Sequence, residues 1–381
     1  MKSFFTKNPR NIAFSIVVIL LALVPLFTDM GLLTSSSIVR FGRYITFAIV
    51  AIGIDLIWGY TGILSLGHGI YFCLGAYGMA MYLLLQKTGG KITDFMQRGG
   101  FTELPWFWKP FNSLPLSIIL MIAVPTLIAW VIGYFIFKSR VKGVYFSIIS
   151  QALTWAMYTL FNGLQPYTNG TNGITGIDTI IGSYYNPNNI KILFYVALVF
   201  LVLVYALTSF LISTKFGKIL VAIRDGENRT YFSGYKVSSF KNFVYVLSAV
   251  FAAIAGALYV NLNNSISPTE MSITFSVGMV IWVAVGGRGS LIGAVIGAIL
   301  VSACEFSVSS AFPSVWQYFI GIFFTVVILF FRRGIVGIAS DLVAKLNLKK
   351  ATGKEAWLWQ IKFYLLKIYL LFLMDLRHWQ M

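Results

Sequence analysis

The sequence has few charged residues: only 11% of its 381 positions are Asp, Glu, Lys or Arg, whereas 58% are hydrophobic. A soluble globular chain carries about a quarter charged residues, so this composition excludes a soluble protein and indicates an integral membrane protein. Cysteine and histidine are scarce as well, with two residues of each. This scarcity excludes a disulfide framework and argues against a histidine-based metal site. The mean hydropathy of +0.81 also excludes disorder.

Sequence motifs for enzyme chemistry are missing too. No P-loop is present, because no Gly-Lys pair is followed by Ser or Thr. The sequence also lacks a nucleophile elbow, an H-E-x-x-H helix and a carboxylate cluster in one segment. We therefore expect no enzyme activity, no metal site and no cofactor bound by this chain, and the alternative of a membrane enzyme has no identifiable site.

Ten apolar stretches approach the roughly 20 residues that an α-helix needs to cross a bilayer. They lie at about 12–28, 42–58, 63–86, 115–137, 144–161, 191–213, 243–261, 274–285, 291–308 and 315–331. The eighth stretch is short for a membrane-spanning helix. It is compatible with a broken or re-entrant pair of helices that it forms with the ninth stretch. A cleaved signal peptide is the alternative for the first stretch, but no clear A-x-A site follows it. The sequence predicts an all-α polytopic transmembrane helical bundle with about ten spans.

The basic residues predict the orientation, because cytoplasmic loops hold an excess of Lys and Arg. With the N terminus inside, 22 of the 29 basic residues fall in cytoplasmic segments, and the outer segments 162–190 and 261–273 hold none. Both termini are therefore predicted to be cytoplasmic. The predicted domains are an N-terminal segment 1–11, a transmembrane domain 12–335 with a long cytoplasmic segment 214–242, and a tail 336–381 with an interfacial amphipathic helix.

Within the predicted spans the ionisable residues are Asp55, His68 and Glu305, and Arg288 lies at a glycine-rich break. An ionisable side chain in lipid is costly, so each is a functional candidate. The alternative is structural, since Asp55 and Glu305 lie near the ends of their stretches, where a carboxylate reaches interfacial water or a basic partner. No acidic residue is clearly central, which argues against an ion-coupled carrier.

Two glycine-rich breaks interrupt the apolar pattern, at Gly59 to Gly69 and at Val285 to Ala298. Irregular backbone at membrane depth is tolerated only where protein or a water-filled path covers it, so these breaks predict a solute path. Helix packing is the alternative, and it is favoured for Gly293 and Gly297 because their spacing suits close helix contact. The candidate path or gate residues are Asp55, Gly67, His68, Gly69, Gly286, Gly287 and Arg288.

The segment 214–242 is longer than a simple connection between two spans. Its first part carries Ile219, Leu220 and Ile223, followed by a run of charged residues. This pattern predicts a helical docking element for a cytoplasmic protein, and a solvated basic loop is the alternative.

Five motifs in order resemble a known family. They are GYTGILSLGHGIYFCLGAYGMAMYL, TNGTNGITGI at Thr168 to Ile177, the segment 214–242, SAVFAAIAGALYV at Ser248 to Val260, and IWVAVGGRGSLIGAVIGA at Ile281 to Ala298. From about residue 40 to residue 335 the chain resembles the membrane permeases of the branched-chain amino-acid ABC importers. RDGENRTYFSGYKV, NNSISPTEM and AVGGRG resemble most the second permease subunit of the urea importers.

The resemblance implies a subunit of an importer in the bacterial cytoplasmic membrane, with urea or a short amide as solute. Branched-chain amino acids are the alternative solute, and an ion-coupled secondary carrier is a more distant alternative. The implied partners are a second homologous permease, two cytoplasmic ATPases that bind ATP and Mg, and an extracytoplasmic solute-binding protein; nucleic acid is not expected. Urea is neutral and needs no fixed charge along its path, so the scarcity of charge in the spans favours urea over zwitterionic amino acids.

The resemblance also assigns the segment 214–242, hereafter the coupling segment, to contact with an ATPase. Where many importers carry Glu-Ala-Ala, this chain has Glu227, Asn228 and Arg229, a departure that suits the urea branch. The residues implied in ATPase coupling are Arg224, Asp225, Glu227, Asn228, Arg229 and Gly234.

Overall fold

The computed structural model describes residues 9–139, 141, 143–314, 318, 321–322, 325–326 and 334–337. The helices that build the bundle are α1 Pro9–Ala22, α2 Val24–Asp29, α3 Ser35–Thr61, α4 His68–Lys87, α5 Asp94–Arg98, α6 Leu114–Lys138, α7 Gly143–Gly163, α8 Gln165–Thr168, α9 Pro187–Ser213, α10 Lys215–Asp225, α11 Glu227–Phe232, α12 Val237–Asn263, α13 Ile273–Gly286 and α14 Leu291–Ala311. Two short strands, β1 Ile174–Thr175 and β2 Ser265–Ile266, pair antiparallel. The chain divides into the units Met1–Gly334 and Ile335–Met381, and only residues 335–337 of the second are described.

The predicted fold class, a polytopic helical membrane protein, is confirmed. In the described part of the chain, eight helical segments are long and apolar enough to cross a membrane. The eighth predicted stretch forms α13, which has 14 residues and is therefore about 21 Å long, less than the roughly 30 Å of a hydrocarbon core. Most of the tenth stretch and nearly all of the tail 336–381 lie outside the described residues, so the ten-span count, the cytoplasmic termini and the tail helix stay predictions.

The helix α12 lies at the centre of the bundle and packs most extensively against α3, α4 and α6. In the most apolar windows of α3 and α4, 83% of the residues are buried, against 17% in α7. Small residues let α4 and α12 touch backbone to backbone: a Cβ at Gly75 would collide with the Ala253 carbonyl, and a Cβ at Gly256 with the Phe72 carbonyl. The core is thus made by α3, α4 and α12, whereas α7 lies at its edge.

The first glycine-rich break is irregular backbone covered by α7. The N–H of Gly62 caps α3 in a left-handed conformation, with φ of +80°, and α4 begins only at His68. Between these points, Ser150 Oγ accepts the Leu66 N–H at 3.1 Å, and Thr154 Oγ1 donates to the Leu66 carbonyl at 3.2 Å. Hydroxyl groups of α7 therefore supply the hydrogen bonds that this irregular backbone needs and that lipid cannot supply.

The helix α13 begins beside the first turn of α4. A Ser267–Glu270 capping box opens the 3₁₀ turn Pro268–Met271, and Ser272 then caps α13. The Gly69 N–H donates to Ser276 Oγ at 3.2 Å. The second break also packs tightly, because a Cβ at Gly297 would collide with the Trp282 carbonyl of α13. The packing interpretation of Gly297 is thereby confirmed.

Candidate functional site

A hydrogen bond joins α3 to the glycine-rich loop between α13 and α14. The Asp55 Oδ1 atom accepts the backbone N–H of Gly289 at 2.6 Å, and the Asp55 side chain is fully buried. Its other oxygen, Oδ2, has no hydrogen-bond partner among the described residues. A Cβ at Gly59 would collide with the Asp55 carboxylate and lie 2.6 Å from the Gly289 nitrogen. This contact therefore requires glycine at position 59.

Arg224, near the end of α10, binds the same end of α3. Its Nη1 donates to the Gly59 carbonyl at 2.8 Å, and its Nε donates to the Asp225 carboxylate at 2.9 Å. The Arg224 side chain is 32% exposed, so the contact lies at the edge of the bundle. A charge-assisted hydrogen bond thus connects the coupling segment directly to a core helix.

Arg288 completes this group of contacts. Its Nε donates to the Trp58 carbonyl at 3.1 Å, and its guanidinium lies 5.2 Å from the centroid of the Trp58 ring. Burial lowers the pKa of Arg288, and the nearby Arg224 guanidinium lowers it further; arginine still stays charged at neutral pH. We call Asp55, Gly59, Arg224, Arg288 and Gly289 the α3 hub.

The other predicted coupling residues lie on α11 and the turn after it. The Lys241 Nζ atom lies 2.6 Å from Glu227 Oε1, and the Lys241 side chain is only 8% exposed. Arg229 Nη2 donates to the Asp225 carbonyl at 3.3 Å, whereas Asn228 is exposed. Gly234 has φ of +89°, which glycine adopts without strain. Glu227 therefore anchors α11 to α12, and Gly234 makes the turn.

The coupling segment also presents aromatic side chains that sequence analysis missed. Phe232 is 85% exposed, and Tyr231 and Tyr235 are exposed beside it. Grouped aromatic residues on a polar surface mark interaction sites. The signal in the sequence is the TYFSGY run at Thr230 to Tyr235.

His68 lies in a buried polar network apart from the α3 hub. Ser248 Oγ donates to the Tyr245 carbonyl, so it has to accept from His68 Nε2, at 2.7 Å. Ser65 Oγ lies 3.0 Å from His68 Nδ1 and donates to it in this tautomer. Both ring nitrogens are satisfied, which is the geometry of a structural histidine. A role in a gate stays a prediction.

The structure thus brings Asp55 and Arg288 together with Arg224 and Asp225, although they come from two separately predicted sites. Gly286 and Gly287 precede Arg288 in the chain, and Gly286 packs against Gly293. Gly67, His68 and Gly69 lie elsewhere; a Cβ at Gly67 would lie 3.1 Å from the Ser150 carbonyl of α7. No group of three or more His, Cys, Asp or Glu residues in the described part of the chain is arranged to hold a metal ion.

Comparison with known proteins identifies a family. A family model described as "Branched-chain amino acid transport system / permease component" matches residues 39–331. The high-affinity branched-chain amino acid transport system permease protein LivM of Salmonella typhimurium is 24% identical over 278 residues, which cover 67% of this chain and 59% of LivM. The chain thus spans about 59% of the length of that relative.

Two further relatives are similar over much of their length. The high-affinity branched-chain amino acid transport system permease protein LivH of Escherichia coli is 25% identical, over 71% of this chain and 83% of LivH. The ribose import permease protein RbsC of Haemophilus influenzae is 24% identical, over 63% of this chain and 71% of RbsC. No solved structure shows a significant match.

Proposed function

Because the chain belongs to the family of permease components of branched-chain amino acid transport systems, we propose that it is a permease subunit of an ATP-driven importer in a bacterial cytoplasmic membrane. It forms the solute channel with a second, homologous permease. Two cytoplasmic ATPases hydrolyse ATP with Mg, so this chain binds no cofactor and is not itself an enzyme. A soluble binding protein delivers the solute from outside.

The contact of Arg224 with the Gly59 carbonyl is the observation that best supports this function. It links a segment predicted to lie in the cytoplasm to α3, one of the most buried helices of the bundle. Asp55 of the same helix holds the loop that joins α13 and α14. A movement of α10 is therefore transmitted to α3 and to both helices of the second glycine-rich break.

Phe232 supports the position of the ATPase. It is 85% exposed on the short helix that follows α10, and a protein partner would bury its ring. We propose that the ATPase covers Phe232 together with Asn228 and Arg229. Glu227 instead holds α11 in place through Lys241.

The solute is a small polar organic molecule, and two candidates remain. The residues of the coupling segment and of NNSISPTEM favour urea or a short amide, because they resemble the urea branch of the family. The names of the relatives LivM and LivH favour branched-chain amino acids.

The proposed function is tested by uptake in cells that carry the complete transporter, with and without this chain. Radiolabelled urea and leucine are the two solutes. We expect uptake of one of them to fall to background when the chain is deleted and to return when it is restored on a plasmid. Unchanged uptake of both solutes would contradict the proposal.

We expect Glu227→Lys to uncouple ATP hydrolysis from uptake, because it places a second ammonium group beside the buried Lys241 and releases α11. An unpaired buried charge costs about 3–5 kcal/mol, although Glu227 itself is half-exposed and the effect is correspondingly smaller. The measurement is solute uptake per ATP hydrolysed in proteoliposomes.

The matched control is the charge exchange Glu227→Lys with Lys241→Glu. It restores the ion pair with opposite orientation, so we expect it to recover a substantial part of the coupling. If the exchange is as defective as Glu227→Lys, Glu227 contacts the ATPase itself and the anchoring role is wrong.

A further inference from the structure

Two arginines lie in the first turns of α3, at the charged edge of the apolar stretch 42–58. The apolar stretch begins near residue 42, but the helix begins at Ser35, so Arg40 and Arg43 are one turn apart on its outer half. Arg43 lies about 12 Å along the helix from its start. Both side chains are half-buried. Arg40 lies over the Phe306 ring of α14 at 4.6 Å, and its Nη2 donates to Ser37 Oγ at 2.8 Å, which leaves its other N–H groups for a ligand.

Glu305 of α14 faces the same region. It lies one residue before Phe306 and is half-buried, and Arg43 is close enough to interact with it electrostatically. The Arg43 guanidinium lies 5.6 Å from the centroid of the Tyr259 ring, while the Tyr259 hydroxyl donates to Glu270 Oε1 at 3.4 Å. The charges of α3 and α14 therefore share one region at the outer half of the bundle.

These charges are not neutralised by ion pairs with one another. The ion pairs between described residues are Lys109–Glu103, Lys191–Asp29, Arg224–Asp225 and Lys241–Glu227. Arg43 and Glu305 are in none of them, so no described group of opposite charge lies within 4.0 Å of either. Glu270, the other nearby carboxylate, is occupied by Ser267 and Tyr259. The region thus holds two guanidinium groups and one carboxylate without close ionic partners in the described part of the chain.

Half-buried charged side chains in transmembrane helices do not face lipid, because moving a charge into hydrocarbon costs several kcal/mol. They face protein or a water-filled cavity. A path for solutes provides such a cavity, whereas a contact with the second permease would have to pair each of these charges with a residue of that subunit. An excess of guanidinium groups beside one carboxylate suits a small solute that carries both signs of charge.

We propose that Arg40, Arg43 and Glu305 line the solute path in the outer half of the membrane and bind the charged groups of the solute. Arg40 and Arg43 bind a carboxylate, and Glu305 binds an ammonium group. This proposal rests on the proposed importer function and assigns these residues to that path. It also favours a zwitterionic solute over neutral urea, which is the opposite of what the scarcity of charge in the sequence indicates.

The first test is uptake of radiolabelled leucine and urea by proteoliposomes that contain the complete transporter, with ATP inside and the binding protein outside. We expect wild-type uptake of leucine, and a fall of about tenfold or more for Arg43→Gln and for Glu305→Gln, the loss expected for one charge-assisted hydrogen bond. Arg43→Lys keeps the charge and should retain more uptake than Arg43→Gln. The matched control is Arg98→Gln, because the Arg98 side chain is exposed at the end of the short helix α5, and it should behave as the wild type.

The double variant Arg43→Gln with Glu305→Gln separates solute binding from mutual pairing. If the two side chains bind the solute, we expect solute uptake by the double variant to be no faster than uptake by the more impaired single variant. Recovery of uptake in the double variant would overturn the proposal, because it would mean that the two groups serve only each other. Loss of co-purification with the second permease in each variant would also overturn it and would mark a subunit contact instead.

The remaining uptake outcomes are equally decisive. If the wild type takes up urea and not leucine, and the variants keep that uptake, the proposal that these residues bind charged groups of the solute is wrong. The importer function is then still supported. If the wild type takes up neither solute, the proposed function fails, and water access then tests the path alone.

Water access is measured on the assembled transporter with Glu305→Cys in a chain whose exposed Cys304 is replaced by serine; Cys73 is buried. Membrane-impermeant methanethiosulfonates of negative and of positive charge are added from outside. We expect both reagents to modify the cysteine. When Arg43→Gln is added, we expect the modification rate of the negative reagent to fall relative to that of the positive reagent. No modification, or a ratio that Arg43 does not change, would overturn the proposal.

Discussion

Replacing Arg224 by glutamine is expected to abolish most ATP-driven uptake while the subunits still assemble. The substitution removes the hydrogen bond from Arg224 Nη1 to the Gly59 carbonyl and with it a charged contact between α10 and α3. A hydrogen bond to a charged group contributes about 1.5–3 kcal/mol, which is about 10- to 100-fold in an equilibrium. Because Arg224 is about one third exposed (32%), we expect an effect near the lower end. The measurement is solute transported per ATP hydrolysed.

The control for Arg224 is Lys218→Gln on the same helix. Lys218 is exposed, and the substitution also removes one positive charge. We expect it to leave coupling unchanged. Equal defects in the two variants would mean that the positive charge of the segment matters and the contact with Gly59 does not. Normal coupling in Arg224→Gln would remove the α3 hub from the transmission of movement.

Replacing Gly256 by alanine is expected to prevent the bundle from packing. The added Cβ would collide with the Phe72 carbonyl of α4 and lie 3.1 Å from the Ala76 nitrogen. Neither atom belongs to a flexible side chain, so α4 and α12 have to separate along their length. Forcing extra atoms into a packed core costs about 1–3 kcal/mol and sometimes more, and a backbone collision belongs at the upper end. We expect a large fall in the yield of monodisperse, assembled transporter in detergent.

Gly278→Ala provides the matched control for Gly256. Gly278 also lies inside a helix, but a Cβ there meets no atom within 4 Å. Alanine stabilises a helix interior over glycine by about 0.5–1 kcal/mol, so the apparent melting temperature should stay or rise slightly. The two substitutions are therefore expected to change the stability of the bundle in opposite directions. A normal yield for Gly256→Ala would contradict the close contact of α4 with α12.

The local pattern of the sequence was sufficient for the long described helices and for the two glycine-rich breaks, but not for the division of the stretch 12–28 into α1 and α2. Apolar stretches predict helices that the structure extends by a few residues, as for 115–137 and the helix Leu114–Lys138. The four-residue spacing of Gly293 and Gly297 predicted close packing, and both lie against α13. These features depend on residues near one another in the chain, so periodicity and glycine placement are enough to find them.

The α3 hub could not be predicted, because its contacts join residues far apart in the chain. Arg224 and Gly59 are 165 residues apart, and Asp55 and Gly289 are 234 apart. No local pattern pairs them, so the sequence assigned them to two sites. His68 shows the same limit, since its partner Ser248 lies 180 residues away. Arg40 and Arg43 were not taken as candidates because they lie at the charged edge of the apolar stretch 42–58, although the helix continues to Ser35.

The most direct measurement is solute uptake by proteoliposomes reconstituted from purified subunits. The complete set contains this chain, the second permease, both ATPases and the binding protein, and the comparison set lacks this chain. We expect the complete set to accumulate radiolabelled leucine or urea only when ATP is present inside the vesicles, and the comparison set to accumulate neither. Uptake without ATP, or equal uptake without this chain, would contradict its function as a permease subunit of an ATP-driven importer.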